Sequence, residues 1–339
     1  MTAFEKYATY REIKSQPEAW AHALDVVSAS LLPKAVDYNQ VLFTGCGSTY
    51  YLSLAAAALY QELTSCAARA IPASELLLNS NTVLTNHRTL LVAASRSGKT
   101  TETVRAVEKF KKEKRGEVVV ISNYDDALSQ LADVNTVIDK GQEESVAQTR
   151  SFASMFVAAS AFCARMADRE DLVEVMRRLP EAGNWIIGNY ESFAKELGEN
   201  LNYDRFYFLG SGIRYGLACE VNLKMKEMTL THSEPFHFLE FRHGPMSMVN
   251  QNAVVVGLLS DENRAHEAKV LSEMNTLGGT VISLGESDAD ASFTSGISES
   301  VRGGLYLPVL QLMAFYRSVA KGLNPDKPNH LTSVVQVDL

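Results

Sequence analysis

The 339-residue sequence contains no apolar run near the ~20 residues needed to cross a bilayer. It opens Met-Thr-Ala-Phe-Glu-Lys-Tyr, without the basic-then-apolar order of a secretory signal, so a cytoplasmic location is expected. Positive charge is short as well: 32 Lys and Arg against 40 Asp and Glu give a net charge of −8. Binding a polyanion needs a basic surface, so a nucleic-acid partner is not expected. The one basic run, 109–115, falls at the end of a predicted helix, where cations offset the macrodipole. The four cysteines, Cys46, Cys66, Cys163 and Cys219, show no C-x-x-C spacing, and the seven histidines no H-x-x-x-H pair beside an acid. Buried reduced thiols and no metal site follow as expectations. With 46% hydrophobic and 21% charged residues, the chain is long enough for two globular domains.

What is present is organised around residues 95–103, Ser-Arg-Ser-Gly-Lys-Thr-Thr-Glu-Thr. An apolar run, Leu90 to Ala94, precedes them, and Val104, Val107 and Phe110 follow at helical spacing, so they read as strand, tight turn and helix. Hydroxyl groups and backbone N–H groups gathered at a helix N-terminus favour an anion. Short β-branched runs separated by helices recur along the chain, near 41, before Ile71-Pro72, at 90 and at 117. They predict a parallel sheet covered on both faces. After a helical stretch over about 146–200 the pattern returns: residues 206–212 echo 41–47, 253–260 echo 90–95, and 279–284 echo 116–122, offset by 163 to 165 residues. The chain is read as two copies of one α/β unit. At the second copy's matching turn, Ser260-Asp-Glu-Asn263 puts carboxylates in place of hydroxyls, so an anion there is expected to meet like charge.

Gly98-Lys99-Thr100 also approaches the P-loop pattern, but Ala93 stands where the first glycine should let the backbone curl round a β-phosphate. Asp125 is the only obvious stand-in for a magnesium-binding Asp. Farther on, Glu220, Lys224 and Glu227 fall at i, i+4 and i+7 on one helix face. Alone they read as a surface ion-pair ladder worth a few tenths of a kcal/mol per pair. Residues 231–246 are dense in titratable and aromatic side chains: His232 and His237 read as structural, and His243 precedes a helix-ending Gly-Pro.

Taken in order, these segments resemble the sugar isomerase (SIS) domain family. The likeness is to the isomerase half of glucosamine-6-phosphate synthase and to stand-alone aminosugar-phosphate deaminases and isomerases. Arg11-Glu-Ile-Lys-Ser-Gln-Pro17, with Pro17 at a helix start, resembles the family's leader. Gly45-Cys-Gly-Ser-Thr-Tyr50 is similar to its first sugar-contacting turn, Ser95-x-Ser-Gly-x-Thr100 to its phosphate turn, and Ser145-Val-Ala-Gln-Thr-Arg-Ser-Phe152 to a segment lining the sugar site. Arg242-His-Gly-Pro245 matches a family motif, with Glu227 placed 16 residues before His243 as the resemblance requires.

The resemblance implies an α/β protein of two tandem SIS domains, each a flavodoxin-like or Rossmann-like three-layer αβα sheet. A leader would span 1–35, the first domain 36–170, a helical linker 171–200, and the second domain 201–339 with a closing loop at its end. It implies His243 for ring opening, Glu227 for proton transfer between C1 and C2, and Lys224 to offset charge on the intermediate. Cys46, Gly47, Ser48, Thr49, Ser95, Arg96, Ser97, Thr100, Val146, Ala147, Gln148, Thr332 and Ser333 would contact the sugar phosphate. No cofactor or metal is implied, and the partner would be a second copy sharing the active site. Ser333 stands where the synthase carries a loop lysine, and the chain begins at the leader, without a glutaminase domain. An aminosugar-phosphate deaminase/isomerase is therefore expected, with a fructosamine-6-phosphate deglycase or other phosphosugar isomerase next. A non-catalytic sugar-phosphate sensor is less in keeping, since the leader is too short for a helix-turn-helix.

Overall fold

The computed structural model describes residues 3–335, with the side chain of Val36 left aside; the ends of the expected leader and closing loop, 1–2 and 336–339, lie outside the described residues. In chain order the elements are α1 (Ala8–Ala29), β1 (Gln40–Gly45), α2 (Ser48–Thr64), β2 (Ala68–Pro72), α3 (Ala73–Leu78), α4 (Ser80–Val83), β3 (Thr89–Ser95), α5 (Thr101–Lys112), β4 (Val118–Ser122) and β5 (Val134–Val137). There follow α6 (Arg150–Met166), α7 (Glu170–Met176), α8 (Leu179–Glu199), β6 (Arg205–Leu209), α9 (Ile213–Thr229), β7 (His232–Phe236), β8 (Ala253–Leu258), α10 (Arg264–Thr276), β9 (Thr280–Gly285), β10 (Ala291–Ser292) and α11 (Leu307–Ala320). Two compact units result. One holds Ser15–Glu143, Arg150–Arg177 and the residues from Thr332; the other holds the residues up to Lys14, Glu144–Thr149 and Arg178–Leu331. The part of the expected linker from Arg178 onward thus belongs to the second unit, where α8 packs on α11.

Each unit is built on a five-stranded parallel sheet, in the orders β2-β1-β3-β4-β5 and β7-β6-β8-β9-β10. The two orders are the same, and this is the duplication that the sequence offsets pointed to. Buried runs explain the strands: every residue of β3, β4 and β8 is buried, as parallel strands covered by helices require. The duplication reaches single residues. α2 and α9 each have 17 residues, begin after a glycine in the left-handed region (Gly47 φ 55°, Gly212 φ 58°) and end on a left-handed cap at Ser65 and Leu230. Positive φ costs an L side chain but not glycine, so the turns are tied to those two residues. β5, β7 and β10 were not foreseen. β7 contains Pro235 at a sheet edge, where the missing N–H costs no ladder bond.

Two sequence readings are corrected. Pro17 lies inside α1, not at its start. Ile13, Ala19, Trp20 and Leu24 are at most 1% exposed, and their burial holds the helix continuous through a residue that costs about 3 kcal/mol in a helix interior. Cys66 is exposed, because it falls in the short connection between α2 and β2; Cys163 and Cys219 are buried as expected, and burial pushes the Cys219 thiol up to about 11.

The start of α1 is capped from far along the chain. Asp326 accepts the N–H groups of Ala8 and Thr9 at 3.0 and 2.8 Å and the Thr9 hydroxyl at 2.7 Å, while its own carbonyl accepts the Val146 N–H at 2.9 Å. Glu12, on the same helix, accepts the N–H groups of Glu144 and Ser145 at 2.6 and 3.3 Å and the Ser145 hydroxyl. Leader, segment 144–149 and tail are thereby clamped together. Asp326→Ala is expected to lower stability by about 1–2 kcal/mol, the upper part of the range for losing an N-cap. Urea unfolding with unchanged m-value would show it, and a midpoint equal to wild type would refute the clamp.

Candidate functional site

In a doubly wound sheet the ligand crevice opens where successive connections leave in opposite directions, beyond the carboxyl ends of the strands. In the first unit that place lies between β1 and β3, paired from Gln40–Thr89 to Thr44–Ala93. The turns leaving these two strands are those singled out in the sequence.

After β1, Gly45 leaves no room for a side chain: a Cβ there would stand 2.5 Å from the Thr49 hydroxyl. Thr49 uses that hydroxyl to accept the Cys46 N–H at 2.9 Å, so Cys46, Gly47, Ser48 and Thr49 form a closed turn at the head of α2. The Cys46 thiol lies 3.5 Å from the Thr103 hydroxyl, and burial pushes its pKa up, which makes it a poor nucleophile.

After β3, the Ser95 hydroxyl accepts the Gly98 N–H at 3.2 Å, and that of Ser97 accepts the Lys99 N–H at 3.1 Å. Gly98 has φ 67°, and Thr100 stands at the cap of α5 without a side-chain cap bond. Lys99 is held at 2.8 Å by Asp126, its side chain half exposed, and holds that carboxyl below its usual range. Lys99 is thus paired with a neighbouring carboxylate and lends the P-loop reading no support. The basic run begins in the last turn of α5, as expected, but Lys109 and Lys111 donate outside that helix, to the Leu77 and Leu131 carbonyls at 2.7 and 2.8 Å.

Arg96 is nearly buried. It donates to the Ser333 carbonyl at 2.7 Å and lies 3.8 Å from Glu143, tying the phosphate-like turn to the tail that carries Thr332 and Ser333.

In the second unit, α9 presents Lys224 between two carboxylates, 3.4 Å from Glu220 and 2.5 Å from Glu227. The surface-ladder reading is corrected by burial. The Lys224 and Glu220 side chains are 1% and 0% exposed, so charges removed from water hold each other in place; Glu227, at 20%, alone reaches outward. Residues of the tail, Leu323, Asn324, Pro328 and Asn329, line a small cleft with Glu227. His243 is exposed and makes no hydrogen bond or ion pair with that triad among the described residues. Its loop is anchored by Arg242, which grips Glu273 at 2.6 and 2.7 Å and holds that carboxyl low, and by Gly244 at φ 120°. His237 stacks on Tyr215 with ring centroids 3.9 Å apart, and burial depresses its pKa, in keeping with a structural role. Val146, Ala147 and Gln148 lie on the clamped segment, and the Gln148 side-chain oxygen is buried with no partner among the described residues.

The second copy's matching place, between β6 and β8, is filled from within. The Glu299 carboxylate accepts the N–H groups of Asp261 and Glu262 at 2.7 and 3.3 Å and a 2.5 Å bond from Arg214. The expected repulsion is therefore corrected: Asp261 is turned aside into a two-bond pair with Arg302, at 2.5 and 2.8 Å, leaving its N–H to an anion. Arg214 stands where the 165-residue offset places Thr49, so aligning the two copies could have found it. Glu299, on an irregular loop, gave no such signal, nor did Glu12 or Asp326.

The family model for the SIS domain matches residues 36–165 and 201–292. The chain belongs to the SIS domain family. Its two SIS domains correspond to the two sheets. The chain is similar to glutamine–fructose-6-phosphate aminotransferase (isomerizing) of Pyrococcus horikoshii, 31% identical across 98% of this chain and 56% of that one. It is also similar to the same-named protein of Methanothermobacter thermautotrophicus, at 26%, across 97% and 57%. It thus spans little more than half of each. Among solved structures, a glucosamine-6-phosphate deaminase from Thermotoga maritima superposes with TM-score 0.82 at 26% identity, covering 97% of this chain and 99% of that one. Tagatose-6-phosphate ketose/aldose isomerase of Escherichia coli shares the fold, with TM-score 0.85, 23% identity and coverage of 98% and 97%. No helix among the described residues is long and apolar enough to cross a membrane.

Lys224→Met takes the ammonium away from the buried Glu220 carboxylate and should destabilise the SIS fold by about 3–5 kcal/mol. Adding Glu220→Gln should restore much of that loss. Denaturant midpoints of the three proteins check it, and a double variant no better than the single would reject the pairing.

Proposed function

We propose that this chain is a phosphosugar isomerase acting on an aminosugar 6-phosphate, which converts the aldose to the ketose imine and lets water release ammonia and a ketose phosphate. The observation that carries the reading is the hydroxyl-lined turn at 95–100. It occupies the reversal point of its sheet, and its duplicate at 260–263 holds a carboxylate on two successive backbone N–H groups. A turn that grips one anion in one copy supports phosphate binding in the other.

In this reading Ser95, Ser97, Thr100 and the turn's N–H groups take the phosphate, and Cys46, Gly47, Ser48, Thr49, Val146, Ala147 and Gln148 contact the sugar. Arg96, joined to Ser333, links the turn to the tail with Thr332. Glu227 removes the C2 proton and returns it to C1. Its outward reach beside the buried Lys224 supports that role, because the ammonium offsets the charge that grows on the enolamine oxygen. His243 moves the proton that opens the ring, since an imidazole can both give and take a proton. The exposed position of His243 is in keeping with presentation to a second copy in a homodimer. The likeness to a glucosamine-6-phosphate deaminase supports ammonia release.

The test is incubation with glucosamine 6-phosphate, galactosamine 6-phosphate and fructoselysine 6-phosphate, with assays for ammonia and free amine. Ammonia from an aminosugar 6-phosphate is expected. Free lysine would shift the reading to a deglycase, and no turnover of any substrate would sink it. Glu227→Gln should cut kcat by about 10²–10⁴-fold while phosphate-dependent binding persists. Unchanged turnover would remove Glu227 as the base.

A further inference from the structure

The cradle between β6 and β8 has the parts of an anion site. Two successive N–H groups, from Asp261 and Glu262, point at one carboxylate at the head of the 13-residue helix α10, and an arginine closes on it from α9. That arginine, Arg214, is nine-tenths buried, and its Nε has no partner among the described residues. The rest of the cradle is built independently of the occupant. The Ser260 N–H and hydroxyl bond to Glu267 at 2.6 and 3.0 Å, the Asn263 N–H bonds to the Ser260 hydroxyl at 2.9 Å, and Arg214 lies 3.9 Å from Glu267. The bond from Asn263 to Ser260 repeats that from Gly98 to Ser95 in the other copy. Glu299 comes from outside the repeated elements, on the irregular connection between β10 and α11, with its side chain 26% exposed.

We propose that the second half carries a latent binding site for a phosphate group, plugged by Glu299. A carboxylate there satisfies the two N–H groups and Arg214 as a phosphate would, and it holds the second copy closed so that one chain accepts one phosphosugar. Asp261 does not oppose a replacement anion, since its carboxylate is spent on Arg302. Removing Glu299 takes away one negative charge and leaves Arg214 and two N–H donors facing solvent from a partly open cradle. The proposal stands apart from the catalytic reading, because it concerns the other turn and is judged by a difference between variants.

The experiment measures inorganic phosphate bound per chain by equilibrium dialysis for wild type, Glu299→Ala and Glu299→Ser, with foldedness followed by circular dichroism. The serine variant leaves the loop a small hydroxyl should alanine prove too disruptive. One more phosphate per chain than wild type is expected in the folded variants, together with a phosphate-dependent rise in melting temperature that wild type lacks. Adding Arg214→Met should abolish that gain. An unchanged count overturns the proposal, as does a gain that survives Arg214→Met, which places the anion elsewhere. Failure of both single variants to fold even in phosphate also overturns it, for Glu299 is then a structural part and not a plug. Wild-type binding at the 95–100 turn, present or absent, cancels in the comparison and reports only on the catalytic reading.

Discussion

Backbone N–H groups that no helix can use for itself are the constraint on which both halves depend. Each parallel sheet reverses its winding once, so two helices begin side by side at the carboxyl ends of neighbouring strands, and their unpaired donors converge. Such donors at the head of a helix favour an acceptor of negative charge. In one half hydroxyls of the turn take part of that role, and the proposed phosphate would take the rest; in the other a carboxylate from the same chain takes it. Duplication gave two identical electrostatic problems, and the two copies solve them in different ways.

The charged helix α9 obeys the opposite logic. Lys224 and Glu220 are out of water, where an unpaired charge would cost several kcal/mol, and together they fix the rotamer of the one member that reaches outward, Glu227. A carboxylate on a flexible surface side chain would wander over many rotamers. Bound to a buried ammonium, it is aimed.

The strands were legible because continuous buried runs and small-residue turns leave a period and a punctuation in the sequence, as at Val41 to Gly47 and Leu90 to Gly98. The repeat was legible for the same reason. β7 was not, since His232-Ser-Glu-Pro-Phe236 carries neither alternation nor an apolar run and is a strand only by pairing with β6. α1 was misread at Pro17 because tertiary burial of Trp20 and Ile13 overrides a local breaker. Within the site, the spacing of Glu220, Lys224 and Glu227 gave their common face but not their burial, which depends on what packs above them. The Glu299 and Asp326 contacts join residues far apart in the chain, and no local pattern encodes a partner at that distance.

The clamp at the head of α1 has a bearing on how the chain comes to be folded. Thr9 and Asp326 are 317 positions apart, so the donors at the head of α1 wait for their acceptor while the intervening residues are synthesised, a delay on the order of half a minute. During that interval the leader can coil, but its end stays frayed, and the segment at 144–149 lacks one of its two tethers. α1 is thus secured only once Asp326 has been made, and docking of its head reports that synthesis has passed that residue.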